Sequence, residues 1–160
     1  MVLGEAEVQR LDQFVLNLMQ KPRPDHMALY RQAEEKRREA FDRMIWEGVS
    51  WGEASGAHPI LNKEQASFKN ELKAIDNDLS SHLDIIEHYL PAWFSAGEFP
   101  PPYYAMRIAI ILRKSKQFDR EKQFLIAYLK HFRSEFGGSR ADEKLVERAT
   151  KLGARLMPIA

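Results

Sequence analysis

At 160 residues, with 44% apolar and 29% charged side chains, the chain has the size and balance of one globular domain able to bury a core unaided. It contains no cysteine, which excludes disulfides, thiolate zinc sites and a cysteine nucleophile. Its net charge of +1 conceals a split: residues 1–106 hold 11 Lys+Arg against 17 Asp+Glu (−6), and residues 107–160 hold 13 against 6 (+7). No apolar run nears the roughly 18 residues of a membrane span. The acidic start Met1-Val2-Leu3-Gly4-Glu5 lacks the basic-then-apolar order of a secretory signal. A cytoplasmic protein with no membrane partner is expected.

Helical periodicity recurs along the chain and two-residue alternation is absent, so the pattern predicts an all-α bundle of about six helices and no sheet. The first helix is predicted over Glu5–Gln20, with Val8, Leu11, Val15 and Leu18 on one stripe. Pro22 and Pro24 break the chain, and Pro24 falls in the first turn of a second helix running to Glu47. Within it Glu34 meets Arg38 and Glu39 meets Arg43 at four-residue spacing, the pattern of a solvated, salt-bridged face. Residues 48–61 read as a glycine-rich, irregular loop around Trp51. Asn62 with Gln65 makes a capping-box pattern. A long helix follows, whose core stripe is Phe68, Leu72, Ile75, Leu79, Leu83, Ile86 and Leu90. Pro91 ends or kinks it, and a turn holding Trp93 leads to the stiff elbow Pro100-Pro101-Pro102.

Beyond the elbow, Tyr103–Lys116 is predicted to bury Tyr104, Ile108, Ile111 and Leu112. Asp119 caps the next helix, which carries Leu125, Leu129, Phe132 and Phe136 and stops at Gly137-Gly138. Ser139 and Asp142 box the start of the last, lined by Leu145, Ala149, Leu152 and Leu156. The chain thus reads as a single helical domain with an acidic group over 1–99 and a basic group over 100–160, hinged at the prolines.

Gly48-Val49-Ser50-Trp51-Gly52 fits the Gly-x-Ser-x-Gly nucleophile elbow, which needs a strand running into a sharp turn and then a helix. Asp84 and His88 follow in the right order. The segment before it has helical spacing, so Gly48 is expected to stop a helix and Ser50 to cap a turn with Glu53. Asp78–His82 and Asp84–His88 each lie four residues apart and could donate to zinc or iron. The two histidines, six apart, turn to different faces, and no repeated Glu-x-x-His is present. Walker, dinucleotide, His-Glu-x-x-His and EF-hand motifs are absent too. No catalytic residue, metal or cofactor is therefore expected.

Arg107, Arg113, Lys114, Lys116, Arg120, Lys122, Lys130 and Arg133 surround one helix–helix turn, alongside Tyr103, Tyr104, Tyr128 and His131. Cations gathered on one face hold phosphates, and aromatics can stack on unpaired bases; the bland expectation places these aromatics on inner helix faces. The charge excess is more than solubility requires. Trp46, Trp51 and Trp93 fall near helix ends or in loops, where two of the three are expected to seal the bundle and Trp51 to make contacts.

The stretch Arg107-Ile108-Ala109-Ile110-Ile111-Leu112-Arg113-Lys114-Ser115-Lys116-Gln117-Phe118-Asp119 is similar to the first helix and turn of a tetratricopeptide repeat. Ile108 and Ala109 stand at its Leu-Gly positions, Leu112 at its aromatic position and Phe118-Asp119 at its turn. The pattern covers one hairpin; Glu121 and Tyr128 replace the small residues of the second helix, and Arg133 the closing proline. The resemblance implies a helix-turn-helix hairpin with a protein-binding groove. The expected function is a non-enzymatic interaction module, an adaptor or regulator that docks a protein partner. Its expected contact residues are Trp51, Arg107, Arg113, Lys114, Lys116, Arg120 and Lys122. The alternative is a nucleic-acid binder using the same basic hairpin. Opposite lobes also allow head-to-tail self-association into a homo-oligomer.

Overall fold

The computed structural model describes residues 1–133 and 139–158, excepting the side chains of Leu61 and Asn62. Among these residues the fold is all-α, without a strand. Its helices are α1 (Glu5–Gln20), α2 (His26–Gln32), α3 (Glu34–Glu47), α4 (Trp51–Ser55), α5 (Gln65–Ala74), α6 (Leu79–Ala96), α7 (Pro102–Lys114), α8 (Phe118–Phe132) and α9 (Arg140–Lys151). A 3-10 turn, Pro59–Asn62, lies between α4 and α5.

Several predicted helices divide, each for a local reason. The second predicted helix is two, and Asp25 rather than Pro24 opens α2, accepting the Ala28 amide at 3.1 Å. The chain then bends at Ala33 (φ −87°, ψ 7°). There the Tyr30 carbonyl, which a continuous helix would offer to the Glu34 amide, takes the Arg37 guanidinium, itself stacked 3.4 Å over the Tyr30 ring. The long central helix is also two. Asp78 caps α6 by accepting the Ser81 amide at 3.1 Å and the Ser81 hydroxyl at 2.7 Å. The Asn62 side chain, expected as a cap, lies outside the described residues, and α5 opens at Gln65 behind Glu64. Pro91 does not end α6, which continues to Ala96 and carries Trp93 within it rather than in a turn. The loop over 48–61 contains α4, capped by the expected Ser50–Glu53 box. Gln117, not Asp119, is the N-cap of α8, while Asp119 sits in the first turn where a negative charge complements the helix dipole. Phe136 and Gly137-Gly138 lie outside the described residues. The Ser139–Asp142 box opens α9 as expected, and Leu156 lies beyond its end.

The helices gather into two units. One comprises residues 1–23, 77–83 and 101–160, the other residues 24–76 and 84–100. In the first, α8 packs against α1, α7 and α9, and α7 against α9. Its core joins Leu11, Phe14 and Leu18 of α1 to Tyr104, Ile108 and Ile111 of α7, Phe124, Tyr128 and Phe132 of α8, and Leu145 of α9. Phe14 rather than Val15 carries the inner face of α1, meeting Phe124 with ring centroids 6.2 Å apart. Each side chain of this kind contributes about 1.5–3 kcal/mol when fully buried. In the second unit Trp93 is fully buried between His26 and Phe99, with ring centroids 5.9 and 4.9 Å away. Gly97 closes α6 at φ +66°, and a Cβ there would fall 2.3 Å from the His26 carbonyl oxygen, so only glycine fits. The units divide the charge: the first holds 16 Lys+Arg against 10 Asp+Glu (+6), the second 8 against 13 (−5).

Candidate functional site

The basic hairpin residues occupy three different environments. Arg120 is engaged in its own unit, its Nε donating to Asp12 Oδ1 at 3.0 Å, its Nη2 to Oδ2 at 3.2 Å and its Nη1 to Gln117 at 2.8 Å. Lys130 closes the C-terminus of α1, donating to the carbonyls of Met19 (2.8 Å) and Lys21 (2.9 Å). That helix has no basic residue in its own last turn, so α8 supplies the positive charge that the dipole favours. Arg107 and Lys122 are half-buried. Arg113, Lys114 and Lys116 are exposed and stand together at the α7–α8 turn, where Lys114 reaches Asn77 at 3.4 Å.

The turn that presents them is a Schellman closure. The Gln117 amide donates to the Leu112 carbonyl at 2.9 Å and the Lys116 amide to that of Arg113 at 3.0 Å. Lys116 holds the left-handed position, φ 57°, where glycine is usual. Phe118, just beyond, is 48% exposed. The nearby aromatics divide: Tyr104, Tyr128 and His131 are buried, and burial with the Asp142 charge pushes the Tyr128 phenol far up, whereas Tyr103 is exposed.

A second surface lies on α3 and α4, which pack together. Only Ala40 of α3 is buried. Phe41 (51% exposed), Ile45 (55%) and Trp46 (82%) of α3, and Trp51 (44%) at the start of α4, face solvent. Of the three tryptophans only Trp93 is sealed inside, so the expectation that two would be is corrected: Trp46 is the one whose exposure the sequence reading missed. The missed signal was the lack of apolar residues over 34–39, which leaves this helix too little inner face to bury both sides of its C-terminal half. Arg38 pairs with Glu34 at 3.7 Å as expected, whereas Arg43 reaches forward to Glu47 at 3.2 Å.

The remaining motifs have structural roles. The Ser50 hydroxyl accepts the Glu53 amide at 3.1 Å, and the Glu53 carboxylate accepts the Ser50 amide at 3.3 Å. His82 is buried 5.9 Å from the Tyr104 ring. Burial alone would raise the Asp78 carboxyl, but hydrogen bonds from Ser81 and Ser80 and the His82 charge hold it below its usual value. His88 belongs to the other unit, where its Nε2 donates to the Gly56 carbonyl at 3.0 Å and its ring stands edge-on to His58 at 5.2 Å. Burial first, then the His88 charge, hold the His58 imidazole below its ordinary value, with Asp84 opposing. Among the described residues no group of three His, Asp or Glu side chains could hold a metal, and no helix is long and apolar enough to cross a membrane. No family model matches the chain, and neither a curated protein nor a solved structure matches it significantly.

Proposed function

We propose that the protein is a non-enzymatic interaction module that docks a protein partner through exposed helical surfaces. The observation that carries this reading is the α3–α4 face, where Phe41, Ile45, Trp46 and Trp51 leave two indoles and two further large apolar groups in water. Scattered single apolar residues are ordinary on a protein surface, but four large exposed apolar side chains, two of them tryptophan, on two helices that pack together are the composition of an interface. The tetratricopeptide-like pattern extends the proposal to α7–α8 as a protein-binding hairpin. A cytoplasmic location belongs to the same reading, and the cysteine-free composition is compatible with it.

The test is a double substitution, Phe41→Asp with Trp46→Ala, in the full chain. Both sites are exposed, so stability should change by no more than about 0.5 kcal/mol. Proteins retained by the immobilised wild-type chain should be lost from the variant. Retention of the same proteins at undiminished yield overturns the proposal.

A nucleic-acid reading draws on Arg113, Lys114 and Lys116, which make no ion pair among the described residues. Three phosphate contacts give a salt slope of about −2 to −3, too shallow for tight binding without further contacts. Arg120 and Lys130 are engaged within the fold, and this favours the protein-docking reading.

A further inference from the structure

We propose that the partner seated on the α3–α4 face is a second copy of this chain, docking through the turn between its α7 and α8. The inference rests on the docking reading above and names its partner. Around α3, steps of about 100° per residue place Phe41, Glu34, Ile45, Arg38, Asp42, Glu35, Trp46 and Glu39 in succession across the outward half, so four carboxylates stand there against one guanidinium. Glu39 and Asp42 make no ion pair among the described residues; of the four cations of the helix, Arg38 pairs with Glu34, Arg43 with Glu47, Arg37 reaches the Tyr30 carbonyl, and the same angular steps put Lys36 outside this half. Negative charge therefore lies among and beside the apolar groups of this face.

The α7–α8 turn is its complement. Arg113, Lys114 and Lys116 have no carboxylate partner among the described residues, and Phe118 offers an exposed ring beside them. Lys116 keeps a left-handed backbone, where glycine is usual, and puts a cation in the turn. The same complementarity holds at the scale of the units, one carrying +6 and the other −5. Opposed fields of this kind orient an encounter and suppress pairing of like surfaces. A contact made by a few side chains per copy belongs to the weak, transient class. It is also heterologous, so each added copy leaves one surface of each kind unfilled unless a ring closes.

The experiment is sedimentation velocity on the full chain from about 1 to 100 µM, a range that reports micromolar affinity, at about 50 and 500 mM salt, which brackets strong and weak screening. The wild-type chain should gain average mass with concentration at low salt and return to a single chain at high salt. Two variants, Glu39→Lys with Asp42→Lys and Arg113→Glu with Lys114→Glu, should each stay single. Mixed in equal amounts, they should associate again, because each then meets a surface of opposite sign. A wild-type chain that stays single across the range overturns the proposal, as do charge-reversed chains that associate undiminished or a mixture that stays single. Phe118→Ser, at an exposed site, should weaken association in the same direction and serves if either charge-reversed chain fails to fold. If the chain stays single while Phe41→Asp with Trp46→Ala still abolishes capture of another protein, only the partner's identity falls. If capture is also unaffected, the docking reading falls with it.

Discussion

His131 stands at the junction of α1 and α8, where its Nε2 donates to the Leu18 carbonyl at 2.8 Å inside the core. Burial holds its imidazole below the ordinary value, and the Lys130 charge adds to this against the Leu18 hydrogen bond. His58 is lowered as well. A histidine with a lowered folded-state pKa binds fewer protons in the folded chain than in the unfolded one near pH 6. Its stabilising contribution is therefore complete above the unfolded value of about 6.5 and declines as pH falls through that value toward the folded one. The thermal midpoint should drop between pH 7.5 and 5.5, and His131→Gln should flatten part of that slope; an unchanged midpoint in wild type would contradict it. At this scale the sequence was only partly legible. It offered His82 and His88 within ligand pairs and set His131 among the hairpin aromatics, and nothing local distinguishes the buried His131, which ties two helices distant in the chain, from the exposed His88.

Among the elements, α9 is tied to α8 by a partly buried ion pair. Glu121 of α8 is 1% exposed and receives both Nε (2.6 Å) and Nη2 (2.7 Å) of Arg148. Arg148→Ala strands the Glu121 carboxylate without its partner and should cost about 3–5 kcal/mol, whereas replacing both residues with leucine should recover most of that loss. Urea unfolding of the single and double variants measures both; a single-variant cost below about 1 kcal/mol would show the pair to be energetically idle. Helix starts with a side-chain signature were legible: Ser50–Glu53 and Ser139–Asp142 cap where the pattern placed them, because the signal and the bonds lie within four residues. The break between α5 and α6 was not. Phe68, Leu72, Ile75 and Leu79 keep helical spacing straight through it, and only the Asp78 side chain, bonded to Ser81, reveals the new N-terminus. The break at Ala33 was hidden likewise, since it depends on Arg37 reaching back to Tyr30.

For the molecule as a whole, burial is uneven, and local stability should follow it. In α8 the residues Phe124, Leu125, Ala127, Tyr128, Leu129 and Phe132 are buried, while α3 buries Ala40 alone. Amides of Glu34–Glu47 should exchange with solvent about a hundredfold faster than those of α8. Hydrogen-exchange mass spectrometry reads this directly, and equal protection of the two helices would contradict it.

By itself the sequence determined the helical class, the extent of α1, the inner face of α7, part of that of α8 and the concentration of positive charge toward the C-terminus. All of these follow from periodicity, capping and composition, which act over one or two helical turns. Only the tertiary structure decided which cations remain available and which apolar groups stay in water. Arg120 is matched by Asp12 across 108 residues, Lys130 closes a helix 109 to 111 residues earlier, and Trp46 is exposed because no described element covers it. Pairing and burial are properties of what the fold brings alongside a residue, and that neighbour is set by packing rather than by the residue's own stretch of chain.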